Sequence, residues 1–198
     1  MRLSLALFAL ASLNAQLLVD TYAGGVVRSG VPAQNVAVGT ISGIAWDPSG
    51  NIVFCDTTYN VIRRIDANGM IETIAGTGVI GFAGDGGPAA DALISSPSLV
   101  HYDPAGNLYF NDSGNFRIRK IDTAGVITTI AGDGQLPILG LDTTGPALTR
   151  SIPKTPDLAV DASGNVYIAG NGNILRVTPS GNLAIFAQIQ SPQSMAID

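Results

Sequence analysis

Gly43-Ile44-Ala45-Trp46-Asp47-Pro48-Ser49-Gly50-Asn51 is a stretch that this chain writes three times. It returns as Leu99-Val100-His101-Tyr102-Asp103-Pro104-Ala105-Gly106-Asn107 and again as Asp157-Leu158-Ala159-Val160-Asp161-Ala162-Ser163-Gly164-Asn165. The anchor aspartates Asp47, Asp103 and Asp161 stand 56 and 58 residues apart. A unit recurring on that scale is one supersecondary module, which buries its faces against its neighbours rather than by itself.

Working outward from the anchor, the first unit resolves into four short runs: Ser42–Trp46, Ile52–Cys55, Val61–Ile65 and Met70–Ala75. Each is rich in Val, Ile, Thr or aromatic residues and ends at Gly, Asn, Asp or Pro, the pattern of β-strands. The breaks carry turn chemistry. Asp47-Pro48-Ser49-Gly50 puts Pro second, where its fixed φ suits a turn, and Gly fourth. Asp66-Ala67-Asn68-Gly69 ends in Asn-Gly, a strong hairpin signal. The second unit predicts strands at Ser98–Tyr102, Leu108–Asn111, Arg117–Ile121 and Val126–Ala131. The third predicts them at Leu158–Val160, Val166–Ala169, Ile174–Val177 and Leu183–Ala187. No helical apolar period of useful length follows residue 15. The expected class is all-β, and four-stranded antiparallel meanders stacked about an axis are the blades of a β-propeller.

Composition narrows the function classes. Of 198 residues 46% are hydrophobic and only 13% charged, about half the ~25% usual in soluble domains. Net charge is −5, without a run of Lys or Arg, so nucleic acid is not an expected partner: its phosphates need a basic stripe. Met1-Arg2 followed by the apolar run Leu3–Leu13 and a small residue before Gln16 predicts a signal peptide over 1–15, and hence a secreted, periplasmic or cell-envelope protein. The run is shorter than the ~20 residues of a membrane span, and no transmembrane segment is expected once the signal is removed. Cys55 is the one cysteine. It excludes an internal disulfide framework and reads as a small buried hydrophobe.

The fuller signature is Asp47…Gly50-Asn51…Asp56…Ile62-Arg63-Arg64-Ile65-Asp66…Thr73-Ile74-Ala75-Gly76, repeated as Asp103…Gly106-Asn107…Asp112…Ile118-Arg119-Lys120-Ile121-Asp122…Thr129-Ile130-Ala131-Gly132. It resembles the NHL-repeat β-propeller family of bacterial exported type. Unit three departs from it. Gly170 stands in place of the mid-unit Asp and Leu175 in place of the first Arg, and Ala184-Ile185-Phe186-Ala187 lacks the Thr and Gly. The organisation expected is a signal (1–15), an outer strand of a closing blade with its link (16–41), and blade 1 with its link (42–97). Blade 2 with its link (98–156), a degenerate blade 3 (157–188) and the start of a further blade (189–198) follow. Leu18–Ala23 matches a fourth strand and 194–198 a first strand. Since the resemblance implies a ring of about six blades, the chain reads as a truncated, incomplete propeller.

Candidate functional residues fall into three groups. The links Thr77–Pro97 and Asp133–Pro156 exceed the usual ~4–6 residues of a connection, and long loops on one face of a rigid scaffold are where binding concentrates. Asp85, Asp91 and Asp142 are the candidate binding residues there. The links share a face with the turn between strands two and three. Asp56 with Arg63, and Asp112 with Arg119, read as a repeated structural network, because a catalytic carboxylate is needed once and a blade staple every time. His101 stands where the other units have Ala45 and Ala159, on the innermost strand by the channel. A packing histidine is the expectation there, since one His without a visible partner is not a catalytic constellation. Gly76-Thr77-Gly78-Val79-Ile80-Gly81 has Gly-x-Gly-x-x-Gly form, but the Gly- and Pro-rich continuation does not open a helix to hold a pyrophosphate. No cofactor and no metal are expected. The function these features predict is a non-catalytic scaffold that binds protein or carbohydrate through the link face. The resemblance also implies an alternative, a metal-assisted lyase or lactonase-type hydrolase at the central channel, and a purely structural module is the third possibility.

Overall fold

The computed structural model describes residues 30–136, 144–153, 157–190 and Met195. The expected signal, the strand at Leu18–Ala23, Asp142 and all of 194–198 but Met195 lie outside the described residues. Three antiparallel sheets succeed one another along the chain. The first holds β1 (Val31–Pro32), β2 (Ile41–Trp46), β3 (Ile52–Asp56), β4 (Val61–Ile65) and β5 (Met70–Ala75). The second holds β6 (Pro97–Tyr102), β7 (Leu108–Asp112), β8 (Arg117–Ile121) and β9 (Ile127–Ala131). The third holds β10 (Gly145–Pro146), β11 (Asp157–Val160), β12 (Val166–Gly170), β13 (Asn173–Val177) and β14 (Asn182–Gln188). All twelve expected strands are present, shifted by a residue at some ends. The described helical segments are three-residue 3₁₀ turns, and none is long and apolar enough to cross a membrane. Because β2 lies beside β6 and β6 beside β11, the first strands form the inner row of an arc of blades.

The recurring Asp-x-x-Gly-Asn motif is a hairpin lock. Asp103 Oδ1 accepts the Asn107 N–H at 2.8 Å while its Oδ2 accepts Asn107 Nδ2–H at 2.7 Å. Asp47 with Asn51 and Asp161 with Asn165 repeat both bonds. Gly50, Gly106 and Gly164 adopt φ of +81°, +87° and +78°, a left-handed conformation that favours glycine.

Strand alternation gives each blade two apolar faces. Val53, Cys55, Ile62 and Ala75 form the trailing face of blade 1 and pack with Val100, Leu108, Phe110, Ile121 and Ile127 on the leading face of blade 2. Tyr109, Ile118 and Ala131 then meet Leu158, Val166, Ile168, Leu175, Val177 and Leu183 of blade 3. Burying one such aliphatic or aromatic side chain stabilises by about 1.5–3 kcal/mol, so the blades cohere mainly through these contacts. Cys55 is fully enclosed; burial, with Asp112 and Asp56 nearby, pushes its thiol far above the ordinary range.

The links do more than connect. Link 1 runs back along the outer strand of the next blade: Pro88 bridges Val126, and the Gly86 N–H donates to the Ile127 carbonyl at 2.8 Å. In link 2, β10 pairs with β14, and β1 pairs with β5 in the same way. These short added strands and the 3₁₀ turns after them were not expected. They arise because a blade's fourth strand otherwise leaves an unpaired edge, and Pro, lacking an N–H, is suited to the outermost position. Ala89 then fastens two blades, its carbonyl accepting from Gly76 N–H and its N–H donating to the Gly125 carbonyl, both at 2.9 Å. Ala147 repeats this between Gly132 and Gly181 at 3.0 and 2.8 Å. Only a small side chain fits so tightly between blades; Ala89 and Ala147 are 2% and 0% exposed.

Candidate functional site

The paired Asp and Arg residues lie inside the blades. Asp56 and Arg63 face each other from β3 and β4 with Arg63 Nε 3.0 Å from Asp56 Oδ2, and both side chains are fully enclosed. Asp112 and Arg119 do the same from β7 and β8, Arg119 Nη1 donating to Asp112 Oδ2 at 3.5 Å. Arg119 also reaches out of its blade into link 1. Its Nη1 donates to the Leu93 carbonyl at 3.0 Å and its Nη2 to the Ala83 carbonyl at 3.2 Å and to Asp85 Oδ1 at 2.7 Å. Asp112 accepts from the Ser95 N–H at 2.7 Å and Asn115 Nδ2–H at 2.8 Å. Burial pushes the Asp112 carboxyl above the usual range, against these donors. Groups this enclosed tie link to blade; substrate does not reach them.

Asp85, exposed in link 1, joins the same network. Its Oδ2 accepts the Thr129 N–H at 3.2 Å. Burial would raise its carboxyl, but the bonds from Thr129 and Arg119 outweigh it and hold it below the ordinary value. Asp91 is exposed on the 3₁₀ turn Ala89–Asp91.

The links leave β5 and β9 beside the turns between strands two and three, as expected. At Gly76 (φ +89°) an added Cβ would sit 2.5 Å from the Asn60 carbonyl oxygen, and at Gly132 (φ +97°) 2.2 Å from that of Phe116, so glycine is needed twice at the same place. Four residues beyond each of these glycines a large apolar side chain points outward: Ile80 and Leu136 are each 69% exposed. Val79 next to Ile80 is also exposed, and Phe82 is stacked under the Arg117 guanidinium at 3.8 Å. This repeated apolar pair, unlike the carboxylates, is not among the residues expected from sequence to bind. The signal was the matching spacing from Gly76 and Gly132.

His101 lies on β6, in the inner row, as expected. It has a partner that the sequence reading did not find: Nε2 is 4.0 Å from Asp157 Oδ1 on β11, across the junction of blades 2 and 3. That distance exceeds a hydrogen bond. Burial lowers the imidazole's pKa although Asp157 pulls the other way, so the ring is neutral at pH 7. Asp157 also accepts the Leu158 N–H at 2.8 Å and the Met195 N–H. A neutral imidazole near a carboxylate is able to take up a proton. The clue in the sequence was that Asp157 takes the place of Gly43 and Leu99 in the other units.

Two clefts open on the opposite, hairpin face. One of about 730 Å³ lies between blades 2 and 3, among Asp103, Tyr109, Lys120, Asp161 and Thr178. One of about 500 Å³ lies between blades 1 and 2, among Asp47, Arg64, Tyr102 and Asp122. Burial and Asp47 together push the Tyr102 hydroxyl up to about 12, with Arg64 opposing. The carboxylates here are already committed to their hairpins.

The chain matches no family model. It is 34% identical over 164 residues to teneurin-1 of Gallus gallus, an alignment covering 73% of this chain and 6% of that protein. The chain thus spans about 6% of the length of the curated relatives it matches. In fold it is similar to an auxiliary nutrient binding protein from Bacteroides ovatus (14% identity, TM-score 0.57, covering 77% of this chain and 37% of that one). It is also similar to a gluconolactonase from Xanthomonas campestris (14% identity, TM-score 0.52, covering 77% and 48%). One fold thus hosts both a protein described as binding and one described as an enzyme, and the likeness extends to the fold alone. With its repeats, its blades and these likenesses, the chain is of β-propeller fold, and its repeats resemble those of the NHL type.

Proposed function

We propose that this chain is an exported, non-catalytic scaffold that binds protein or glycan through the face carrying the long inter-blade links. The observation that carries the reading is the recurrence of an exposed large apolar side chain, Ile80 and then Leu136, at the same place in successive links. A rigid scaffold presenting such side chains in series has the makings of a recognition surface, and their apolar character favours a protein partner over a sugar. Asp85 steadies the surface by fixing link 1 to Arg119, and Asp91 and Asp142 supply acidic character along the links. The export part of the reading rests on the charge-then-apolar pattern of 1–15.

The test compares the purified chain with Ile80→Asp/Leu136→Asp on arrays of extracellular proteins and of glycans. The double variant is expected to bind at least about tenfold more weakly, about 1.4 kcal/mol, with an unchanged unfolding midpoint. Equal binding by both would overturn the link face. The enzyme reading is favoured by one observation, the proximity of Asp157 to His101. Lactone hydrolysis or elimination by the wild-type chain, lost in His101→Ala, would replace the scaffold by the enzyme.

A further inference from the structure

The turn between strands two and three is shorter in blade 3 than in the blades before it. In blades 1 and 2 four residues separate the paired ends, Asp56 from Val61 and Asp112 from Arg117. In blade 3 two residues, Asn171 and Gly172, separate Gly170 from Asn173. Asn171 has φ +51° and Gly172 φ +75°, the left-handed pair of a type I′ hairpin turn. Such a turn closes through its outer residues and directs its central peptide N–H away from the ladder. The Gly172 N–H accordingly meets no acceptor among the described residues. Asn171 is exposed, and a Cβ built on Gly172 would meet nothing nearer than the Ile189 carbonyl oxygen at 3.6 Å. The chain has a second Asn-Gly step, Asn68-Gly69, in the hairpin between β4 and β5. There the Gly69 N–H donates to the Asp66 carbonyl at 2.9 Å. The Asp66 carboxylate also accepts the Asn68 and Met70 N–H groups, each at 2.9 Å.

We infer that Asn171 is a site of spontaneous covalent modification, a deamidation whose co-reactant is water. The Gly172 nitrogen gives up its proton to hydroxide and attacks Cγ of Asn171. A C–N bond forms, the Cγ–Nδ2 bond breaks, and the side-chain nitrogen leaves as ammonia. Water then opens the resulting succinimide ring at either carbonyl, which gives aspartate or isoaspartate; nothing is oxidised or reduced. Glycine favours the attack because no Cβ shields its nitrogen. The two Asn-Gly steps differ in what holds that nitrogen. At Asn68 the attack must first break the Gly69 bond to Asp66 and pull the turn from the Asp66 carboxylate. In blade 3 the residue at the corresponding place is Gly170, which has no side chain to hold the turn. Isoaspartate carries the main chain through Cβ and is longer than a two-residue turn accommodates, so its formation loosens the β12–β13 pairing. Aspartate changes the charge alone. This inference is independent of what the link face binds.

The test incubates the folded chain at mildly alkaline pH in heavy-oxygen water and follows both Asn-Gly peptides by mass spectrometry. Asn171 is expected to convert about fivefold faster than Asn68, the rate equivalent of one amide hydrogen bond. It is expected to take up heavy oxygen and to yield both aspartate and isoaspartate. In concentrated urea the two steps are expected to convert at similar rates, because neither nitrogen is then held. Asn171→Asp, which has the charge without the longer main chain, is expected to keep the urea midpoint of fresh wild type, whereas aged wild type loses part of it. Conversion of Asn68 as fast as Asn171 in the folded chain would overturn the proposal. So would the same preference for Asn171 persisting in urea, which would assign the order to local sequence. An aged chain rich in isoaspartate with an unchanged midpoint would overturn the effect on the β12–β13 pairing.

Discussion

Blade 2 and blade 3 have the same four-stranded path and the same Asp-Asn hairpin lock, yet solve one interior position in opposite ways. Opposite Phe110, blade 2 buries Arg119 with Asp112 nearby; opposite Ile168, blade 3 buries Leu175 and has Gly170 in place of the aspartate. The blade fold therefore does not require the ion pair. Desolvating two charges costs several kcal/mol each, and an apolar pair of similar volume is often as stable. What the charged version adds is reach. Arg119 spans from β8 to two link carbonyls and Asp85, so it fixes link 1 to blade 2, whereas a leucine stops at packing.

Four substitutions would break or sharpen this comparison. The largest effect is expected from Leu175→Arg, which puts the cation of blades 1 and 2 into a blade without its aspartate. An unpaired buried charge costs about 3–5 kcal/mol, seen as a large drop in the urea midpoint; a loss below about 1 kcal/mol would show that blade 3 can supply acceptors. Asp112→Ala comes next, at about 3 kcal/mol, because Arg119 keeps Asp85 and the carbonyls but loses its interior partner. Adding Arg119→Leu, which imports the arrangement of blade 3, should recover part of that loss. Chemical unfolding of all four combinations would give a coupling of about 1–3 kcal/mol, and strict additivity would dissolve the pair. The smallest effect is Asn107→Ala, about 1 kcal/mol at pH 7. Burial would raise the Asp103 carboxyl, but Asn107 and the Tyr109 hydroxyl outweigh it and hold it below the ordinary range. A lowered carboxyl contributes stability above its unfolded value that is lost as pH falls through its folded value. The gap between wild type and Asn107→Ala should therefore narrow in acid, a trend that acid–urea titration would measure. Asp112 runs the other way. Its raised carboxyl is better tolerated protonated, so its own term favours the fold as pH falls through the interval between the unfolded and folded values.

Much of the site was legible for the same reason the fold was. Asp56 with Arg63 and Asp112 with Arg119 recur at one spacing and lie on adjacent strands, so repetition alone marked them as staples. The roles of Asp85 and Asp157 were not legible. Asp85 reaches Arg119 across 34 residues, and Asp157 approaches His101 from the next blade. Neither meeting leaves a local pattern to read.

By itself the sequence determined the strands, the hairpins and their order, because the bonds that close each turn fall within five residues and the alternation of apolar side chains sets which faces are buried. Only the tertiary structure decided that the Pro-Ala centres of the links become outer strands and inter-blade fasteners, and that Asp157 stands near His101. Those outcomes depend on how one blade is placed against the next. Packing between distant segments sets that placement, and no short-range preference of the chain encodes it.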